Sequence, residues 1–417
     1  MTDRSTASAS SPESSGRPRS RAALVIARLI ALSLPFLVMA LAMELGLRVM
    51  GITHPVFYQT DEHRGFGLRP GFRGWWITEG RSFISVNSDG FRDREHPVEK
   101  PASVYRIAVL GDSFTEAMSV PAEQAFWSVL ESELKACGAL AGKTPEVLNF
   151  GVSSYGTAQE YLTLHHNVWK YDPDLVLVAF FSGNDVRNNS RALEQGESLP
   201  YYVLKDGELS LDDSFRTSAY YARQTSWKWK LLRSVLDQSH LAQYLNMIRT
   251  RVMSRAQAAQ GNQGEAGVDV GVYREPRDAT WKDAWEVTEA LFRKIRDEVR
   301  EKRSRLLVAT VSNAVQTAAP ADREAMVKRQ QIEAFYPEDR VVRAGRRDGY
   351  AVFNLARALQ KQAEEQKAVF HGFAGKRYGE GVSNGHWNSL GHRAAGELLA
   401  REICRQAGEE TGTAVPR

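Results

Sequence analysis

Ser113 and His386 are the residues of this chain whose types best suit acyl-group chemistry. A serine hydroxyl is a poor nucleophile until a base takes its proton. An imidazole titrates near neutral pH and is the best such base. Ser113 lies in Val109-Leu110-Gly111-Asp112-Ser113-Phe114-Thr115-Glu116. Residues 105–110 read as a buried strand, a short apolar run with β-branched residues and a glycine stop. Residues 117–134 carry apolar side chains at roughly helical spacing. A serine between them can hold its hydroxyl clear of a sheet, beside the backbone N–H groups of a helix N-terminus. The same Ser113-x-x-Glu116 spacing fits a capping box, in which Ser113 is only an N-cap. His386 sits in Ser383-Asn384-Gly385-His386-Trp387-Asn388. Its rival as base, His392, falls where the last helix, about 393–407, should begin.

The elements that must position these residues follow a regular alternation. Strands are expected at 146–150, 174–181, 305–311 and 350–355, and an amphipathic helix at 281–300 with Trp281, Trp285, Thr288, Phe292, Ile295 and Val299 on one face. The run 174–181 is continuously apolar, as expected for a strand covered on both faces. Two turns stand at predicted strand ends, Asn149-Phe150-Gly151-Val152-Ser153-Ser154-Tyr155-Gly156 and Ser182-Gly183-Asn184-Asp185. Thr157-x-x-Glu160 then opens a helix as a capping box. Strands alternating with helices imply an α/β chain with a parallel sheet and helices on both faces. Ligands of such sheets bind at the carboxyl ends of the strands, where all three turns lie.

The remaining segments frame this core. The chain has 417 residues, with 54 Lys and Arg against 50 Asp and Glu. The basic residues are scattered and match no nucleic-acid module, so no nucleic-acid partner is expected. Residues 1–21 are rich in Ser, Arg and Pro and read as a disordered cytoplasmic tail. Arg17, Arg19 and Arg21 precede an apolar run at 22–47, long enough to span a bilayer as an uncleaved signal anchor, with a cleaved signal peptide as the alternative. This predicts an inner-membrane, single-pass protein whose later domain lies outside the cytoplasm. Residues 51–103 form an approach segment with a small hairpin at 74–86 and a turn at Asn87-Ser88-Asp89-Gly90; turn chemistry accounts for most of it, and it reads as packing and linker, with a lip beside the site as the alternative. An insertion at about 187–279 holds Trp227-Lys228-Trp229-Lys230-Leu231-Leu232, a basic amphipathic stretch to about 255 and a Gln/Gly/Ala-rich linker at 256–267. The Trp/Lys stretch suits a membrane surface or an acidic polymer, or a helix packed on its own domain. The two cysteines, Cys137 and Cys404, have no metal-ligand spacing. They could pair in an exported domain or remain buried thiols. A tail is expected at 408–417.

Gly111-Asp112-Ser113, the Asn149–Gly156 turn, Gly183-Asn184-Asp185 and the His386 block come in the order of the SGNH (GDSL-type) hydrolase superfamily, which the chain resembles over about residues 104–407. The resemblance implies a flavodoxin-like three-layer α/β/α sandwich with a five-stranded parallel sheet, and a serine esterase or acyltransferase mechanism. Ser113 is then the nucleophile and His386 the base. The oxyanion donors are the backbone N–H groups of Ser113 and Ser154 and the side-chain amide of Asn184. The superfamily usually has glycine where Ser154 stands. It also has an aspartate two or three residues before the histidine, where this chain has Asn384 and Ser383. Asn384 could orient His386 through its amide oxygen, an acid from elsewhere such as Glu380 could serve, or the site could be weakened. Three functions are therefore open: an esterase acting on acylated glycan or lipid of the cell envelope, a polysaccharide O-acetyltransferase, and a degenerate glycan-binding or assembly protein. No cofactor or metal is indicated, and no P-loop or dinucleotide fingerprint is present.

Overall fold

The computed structural model describes residues 21–258, 269–373 and 385–411. Residues 1–20, most of the 256–267 linker, and Asn384 with Glu380 fall outside them. The chain opens with helix α1 (Arg21–Val49), followed by two antiparallel hairpins, β1 (Tyr58–Asp61) with β2 (Gly65–Leu68) and β3 (Arg73–Trp76) with β4 (Ser82–Ser85). The core then runs β5 (Val104–Gly111), α2 (Ser113–Glu116), α3 (Phe126–Leu134), β6 (Thr144–Asn149), α4 (Thr157–Thr163), β7 (Leu175–Phe180) and α5 (Asp185–Asn188). The inserted elements are α6 (Arg191–Glu194), hairpin β8 (Tyr201–Lys205) and β9 (Glu208–Asp212), α7 (Ala219–Thr225), α8 (Trp227–Gln238) and α9 (His240–Ala258). The core resumes with α10 (Ala279–Glu301), β10 (Arg305–Thr310), α11 (Ala314–Thr317), α12 (Pro320–Gln330), α13 (Tyr336–Asp348), β11 (Ala351–Phe353), α14 (Leu355–Gln366) and α15 (Ser389–Thr411).

The central sheet is parallel throughout, in the spatial order β6-β5-β7-β10-β11. Counted along the chain this is 2-1-3-4-5, the flavodoxin-like order, with its switch point between β5 and β7. Strand periodicity builds the layers. Ala108 and Leu110 of β5 and Val176 and Val178 of β7 join one core with Leu162 of α4, Leu291 of α10 and Val341 of α13. Their neighbours Ile107, Val109, Leu175 and Leu177 join the other, with Leu130 of α3, Leu359 of α14 and Leu399 of α15. Every residue of β7 is buried, which is why its sequence is apolar without alternation. The expected fold class is the observed one.

Cys137, just after α3, and Cys404, in α15, form a disulfide, so the free-thiol alternative is set aside. Helix α1 contains Leu24–Val49, a stretch long and apolar enough to cross a membrane, with mean hydropathy 2.4. Helix α15 runs to Thr411, past the expected start of a tail at 408.

Three local expectations change. The helix expected at 117–134 is broken: α2 is one turn long and ends at Ala117, which is left-handed at φ 56°. Pro121 has no N–H to give the Ala117 carbonyl and ends any helix through this point, and the guanidinium of Arg92, buried in the core, takes the carbonyls of Glu116 (2.9 Å), Ala117 and Val120 (2.5 Å) instead. The N-cap of α2 is Asp112, whose carboxylate accepts from Phe114 N at 3.0 Å, so Ser113 does not cap. At α4 the capping partner is Gln159, accepting from Gly156 N at 3.0 Å; Thr157 is already the first helical residue and Glu160 points into the core.

Candidate active site

Relieved of the N-cap role, Ser113 presents its hydroxyl at the carboxyl end of β5. Its Oγ lies 2.7 Å from Nε2 of His386, a partner 273 residues away in sequence. The other imidazole nitrogen, Nδ1, is 2.5 Å from Oε2 of Glu79, and Oε1 of the same carboxylate accepts the backbone N–H of His386 at 2.9 Å. Glu79 therefore grips His386 at two points, ring and main chain, and fixes the tautomer that leaves Nε2 free to accept the serine proton. His386 is about one third exposed and Glu79 less so, so the site opens to solvent at the imidazole.

Glu79 is the residue that sequence reasoning missed. It lies in the turn of the β3–β4 hairpin, inside the approach segment read as packing and linker. Two glycines make the contact possible. A Cβ at Gly385, where φ is +109°, would stand 2.2 Å from Glu79 Oε1; a Cβ at Gly80, where φ is +65°, would stand 2.0 Å from the Ser119 carbonyl oxygen. Trp76 pins the turn by donating from Nε1 to the Glu79 carbonyl at 3.1 Å, and Ser82 bonds the Met118 carbonyl on the far side. The signals were present as Glu79-Gly80 and Gly385-His386, but nothing local distinguishes them from ordinary turn chemistry. Asn384 and Glu380, the orienters considered from sequence, lie outside the described residues, and Nδ1 of His386 is already engaged by Glu79.

The His386 segment is held from behind by His371, also unforeseen. His371 Nδ1 lies 2.8 Å from the Gly385 carbonyl and its Nε2 3.3 Å from Ser312 Oγ, which also accepts from Trp387 Nε1 at 3.0 Å. Burial pushes the His371 imidazole down to about 4, so it stays neutral in this network. His392, the rival base, is fully buried in the first part of α15, where its Nδ1 accepts from Phe126 N at 3.3 Å. Burial holds its pKa well below the usual imidazole value, and it faces the core, away from Ser113.

Two of the candidate oxyanion donors, Asn184 and Ser154, stand in the turns after β7 and β6. Asn184, after β7, donates from Nδ2 to Asp112 Oδ2 at 3.1 Å, which leaves its second amide hydrogen for another acceptor. The turn after β6 presses directly on α2: a Cβ at Gly151 would meet the Thr115 side chain at 2.5 Å. Ser154 adopts a left-handed φ of 65°, a conformation that favours glycine, and its carbonyl accepts from Asn188 Nδ2 at 3.2 Å. The usual penalty for a non-glycine there is about 1–2 kcal/mol. Behind the turn lies Glu116, fully buried, accepting from Tyr58 Oη at 2.8 Å and from Ser153 Oγ, with Oε1 unpartnered.

Burial pushes the Glu116 carboxyl up to about 7, against the pull of the two hydroxyls. A carboxyl whose folded pKa exceeds its unfolded value binds its proton more tightly in the folded state. Its contribution is therefore whole below about 4.5 and is lost as pH rises toward 7. Glu116→Gln removes that titration. Its stability relative to the parent should rise by about 3 kcal/mol between pH 4.5 and pH 8. Denaturant unfolding of the two proteins at several pH values, with the disulfide intact, checks this; a pH-independent difference would show that Glu116 does not titrate in that window.

No protein-family model matches the sequence, and no curated protein is similar to it. Among solved structures, an acetyl xylan esterase, AlAXEase, aligns at 10% identity over 72% of this chain and 98% of its own, with a TM-score of 0.36. A catalytic mutant of Axe2, an acetylxylan esterase from Geobacillus stearothermophilus, aligns at 13% identity over 73% and 94%, TM-score 0.35. A protein described as lipolytic and of the G-D-S-L family, from Desulfitobacterium hafniense DCB-2, aligns at 11% identity over 71% and 98%, TM-score 0.32. At these identities and scores the functional reading rests on the site itself.

Proposed function

We propose that the chain is a serine esterase of the SGNH type that removes short O-acyl groups from a glycan or lipid of the cell envelope. The observation that carries this reading is the unbroken relay Glu79–His386–Ser113 at the switch point of the sheet. Ser113 Oγ attacks the ester carbonyl carbon as its proton passes to His386 Nε2. Glu79 stabilises the imidazolium that forms. The tetrahedral oxyanion sits among the Ser113 N–H, the Ser154 N–H and the Asn184 amide, each such donor being worth on the order of 3 kcal/mol. Collapse breaks the ester C–O bond, the alkoxide takes the proton from His386, and an acyl-Ser113 remains. Water, deprotonated by the same imidazole, then releases the acid. With Glu79 in the relay, the missing aspartate near position 384 no longer favours a binding-only protein.

Helix α1 supports a second reading. An apolar anchor ahead of an external domain of this type resembles the layout of exopolysaccharide O-acetyltransferases, in which a sugar hydroxyl replaces water in the second half-reaction. In both readings α1 is an uncleaved membrane anchor, with Arg17, Arg19 and Arg21 on the cytoplasmic side. The Cys137–Cys404 disulfide fits an oxidising compartment beyond it. The deciding experiment follows acetyl groups from nitrophenyl acetate onto the full-length protein by mass spectrometry, then adds water alone or sugar oligomers. An esterase loses the Ser113 adduct at the same rate in both; a transferase loses it faster with the sugar and yields acetylated sugar. Absence of any serine adduct under turnover would refute both readings.

A further inference from the structure

Helices α8 and α9 present an apolar surface that nothing among the described residues covers. On α8, Trp227 is 70% exposed, and Leu231, Leu232 and Leu236 are exposed with it. On α9, Leu241, Leu245, Ile248 and Val252 recur at helical spacing along one stripe, the last three of them exposed. Patches of this kind on soluble monomers mark interaction sites.

Two independent observations identify what meets this surface. The first is continuity with α1. Glu44, the single acid in the apolar stretch of that helix, receives the N–H groups of His240 (3.1 Å) and Leu241 (2.8 Å) and the Ser239 hydroxyl (2.9 Å). A carboxylate there satisfies the orphan donors and the positive end of α9. Arg48 completes the joint by donating to the Gln238 carbonyl at 2.5 Å. Glu44 lies five residues before the end of α1, roughly 7–8 Å along the axis, which is about the depth of a headgroup layer. The start of α9 and the end of α8 are thus fastened to α1 at the level where an anchor would leave the hydrocarbon. The second observation is charge. Residues 219–258 contain Arg223, Lys228, Lys230, Arg233, Arg249, Arg251 and Arg255 against one acid, Asp237, and Asp237 is already paired with Arg69 at 2.7 Å.

We infer that α8 and α9 form an interfacial platform that lies on the outer face of an anionic lipid bilayer, apolar stripe in the headgroup boundary and basic residues on the lipid phosphates. The inference rests on the reading of α1 as a membrane anchor. The platform also holds the segment that carries the acid of the relay. Asp237 grips Arg69, while Gln243 accepts from Thr53 Oγ1 (2.7 Å) and His54 N (3.0 Å). The chain so held continues through Phe57 and Phe72, whose rings pack edge to face, into the β3–β4 hairpin and Glu79. Lipid contact therefore sets the orientation of the active site over the membrane, and the substrate class is one tethered at or near the bilayer surface.

The test uses the full-length chain with its disulfide intact, so that an introduced cysteine is the one free thiol. Leu245→Cys and Val252→Cys are labelled with an environment-sensitive fluorophore, with Leu32→Cys in α1 and the exposed Lys361→Cys on α14 as references. Each is placed in nanodiscs of phosphatidylcholine with or without phosphatidylglycerol and quenched by headgroup-level or chain-level nitroxide lipids. The expected result is headgroup-level quenching at 245 and 252, several-fold above that at 361, which weakens in pure phosphatidylcholine, in high salt and in a Lys228→Gln/Lys230→Gln/Arg249→Gln background that keeps ester hydrolysis. Quenching at 32 without quenching at 245 and 252 overturns the platform and leaves the anchor standing. No quenching at 32 overturns the anchor, and the platform with it. Equal quenching in both lipid mixtures overturns the anionic component. Burial of the 245 and 252 labels in detergent that grows with protein concentration would assign the surface to a second copy of this chain instead.

Discussion

Glu79→Gln should lower kcat for ester hydrolysis by about 10³–10⁴, or 4–5.5 kcal/mol, with little change in KM. The geometry makes glutamine a worse substitute than its shape suggests. Oε1 of Glu79 accepts the backbone N–H of His386, so a glutamine must place its oxygen there. Its amide nitrogen then faces Nδ1 and donates to it. That interaction holds the proton on Nε2, where the ring can no longer receive the proton of Ser113. Turning the amide over restores the ring tautomer but sets its NH₂ group against the His386 N–H. Glu79→Ala should lose a similar factor by leaving the imidazolium without a counter-charge, and Glu79→Asp should recover part of the activity. Steady-state kinetics of the three variants with a nitrophenyl ester, beside melting curves to show intact folding, check the prediction. Activity of Glu79→Gln within tenfold of the parent would mean that another group orients His386.

Ser113→Ala should abolish the acyl-enzyme and reduce turnover by about 10⁶. His386→Ala should approach the same loss, and the double variant should be no worse than either single one. Nucleophile and base act as a unit: without Nε2 the hydroxyl keeps its proton, and without the hydroxyl the imidazole has nothing to deprotonate. The decisive readout is the mass of the protein after exposure to an activated acetyl ester. The parent should gain one acetyl group on Ser113 and the alanine variant none at that position. Acetylation with undiminished turnover in Ser113→Ala would place the nucleophile elsewhere and refute the serine mechanism in both its hydrolytic and transferase forms.

The chain also shows why a soluble fragment must be cut with care. A protein begun at the first core strand, near residue 104, would retain Ser113, His386 and Asn184 yet lack Glu79. It would also lack Arg92, which holds the carbonyls at the end of α2, and Asp93, which accepts Asn149 N at 2.7 Å. The approach segment is as much a part of the site as the sheet.

What the sequence determined by itself is local or periodic. The buried strands, the amphipathic helix at Ala279–Glu301 and the turns at the ends of β5, β6 and β7 follow from side-chain spacing, because a strand or helix repeats its environment every two or 3.6 residues. Ser113 and Asn184 were legible for the same reason: each stands where a predicted strand stops, and strand ends share one edge of a parallel sheet. The tertiary structure alone decided the rest. Glu79 reaches His386 across 307 residues, through a hairpin turn that no local pattern sets apart. The carbonyls left free after α2 are met by Arg92, whose guanidinium arrives from an earlier loop. The exclusion of His392 from the site depends on the burial of the first turn of α15. The pairing of Cys137 with Cys404 depends on α3 and α15 lying side by side. In each case the decisive partner is close in space and remote in sequence. Spacing along the chain carries no information about such contacts until the sheet, its strand order and its packed helices have brought the two ends together.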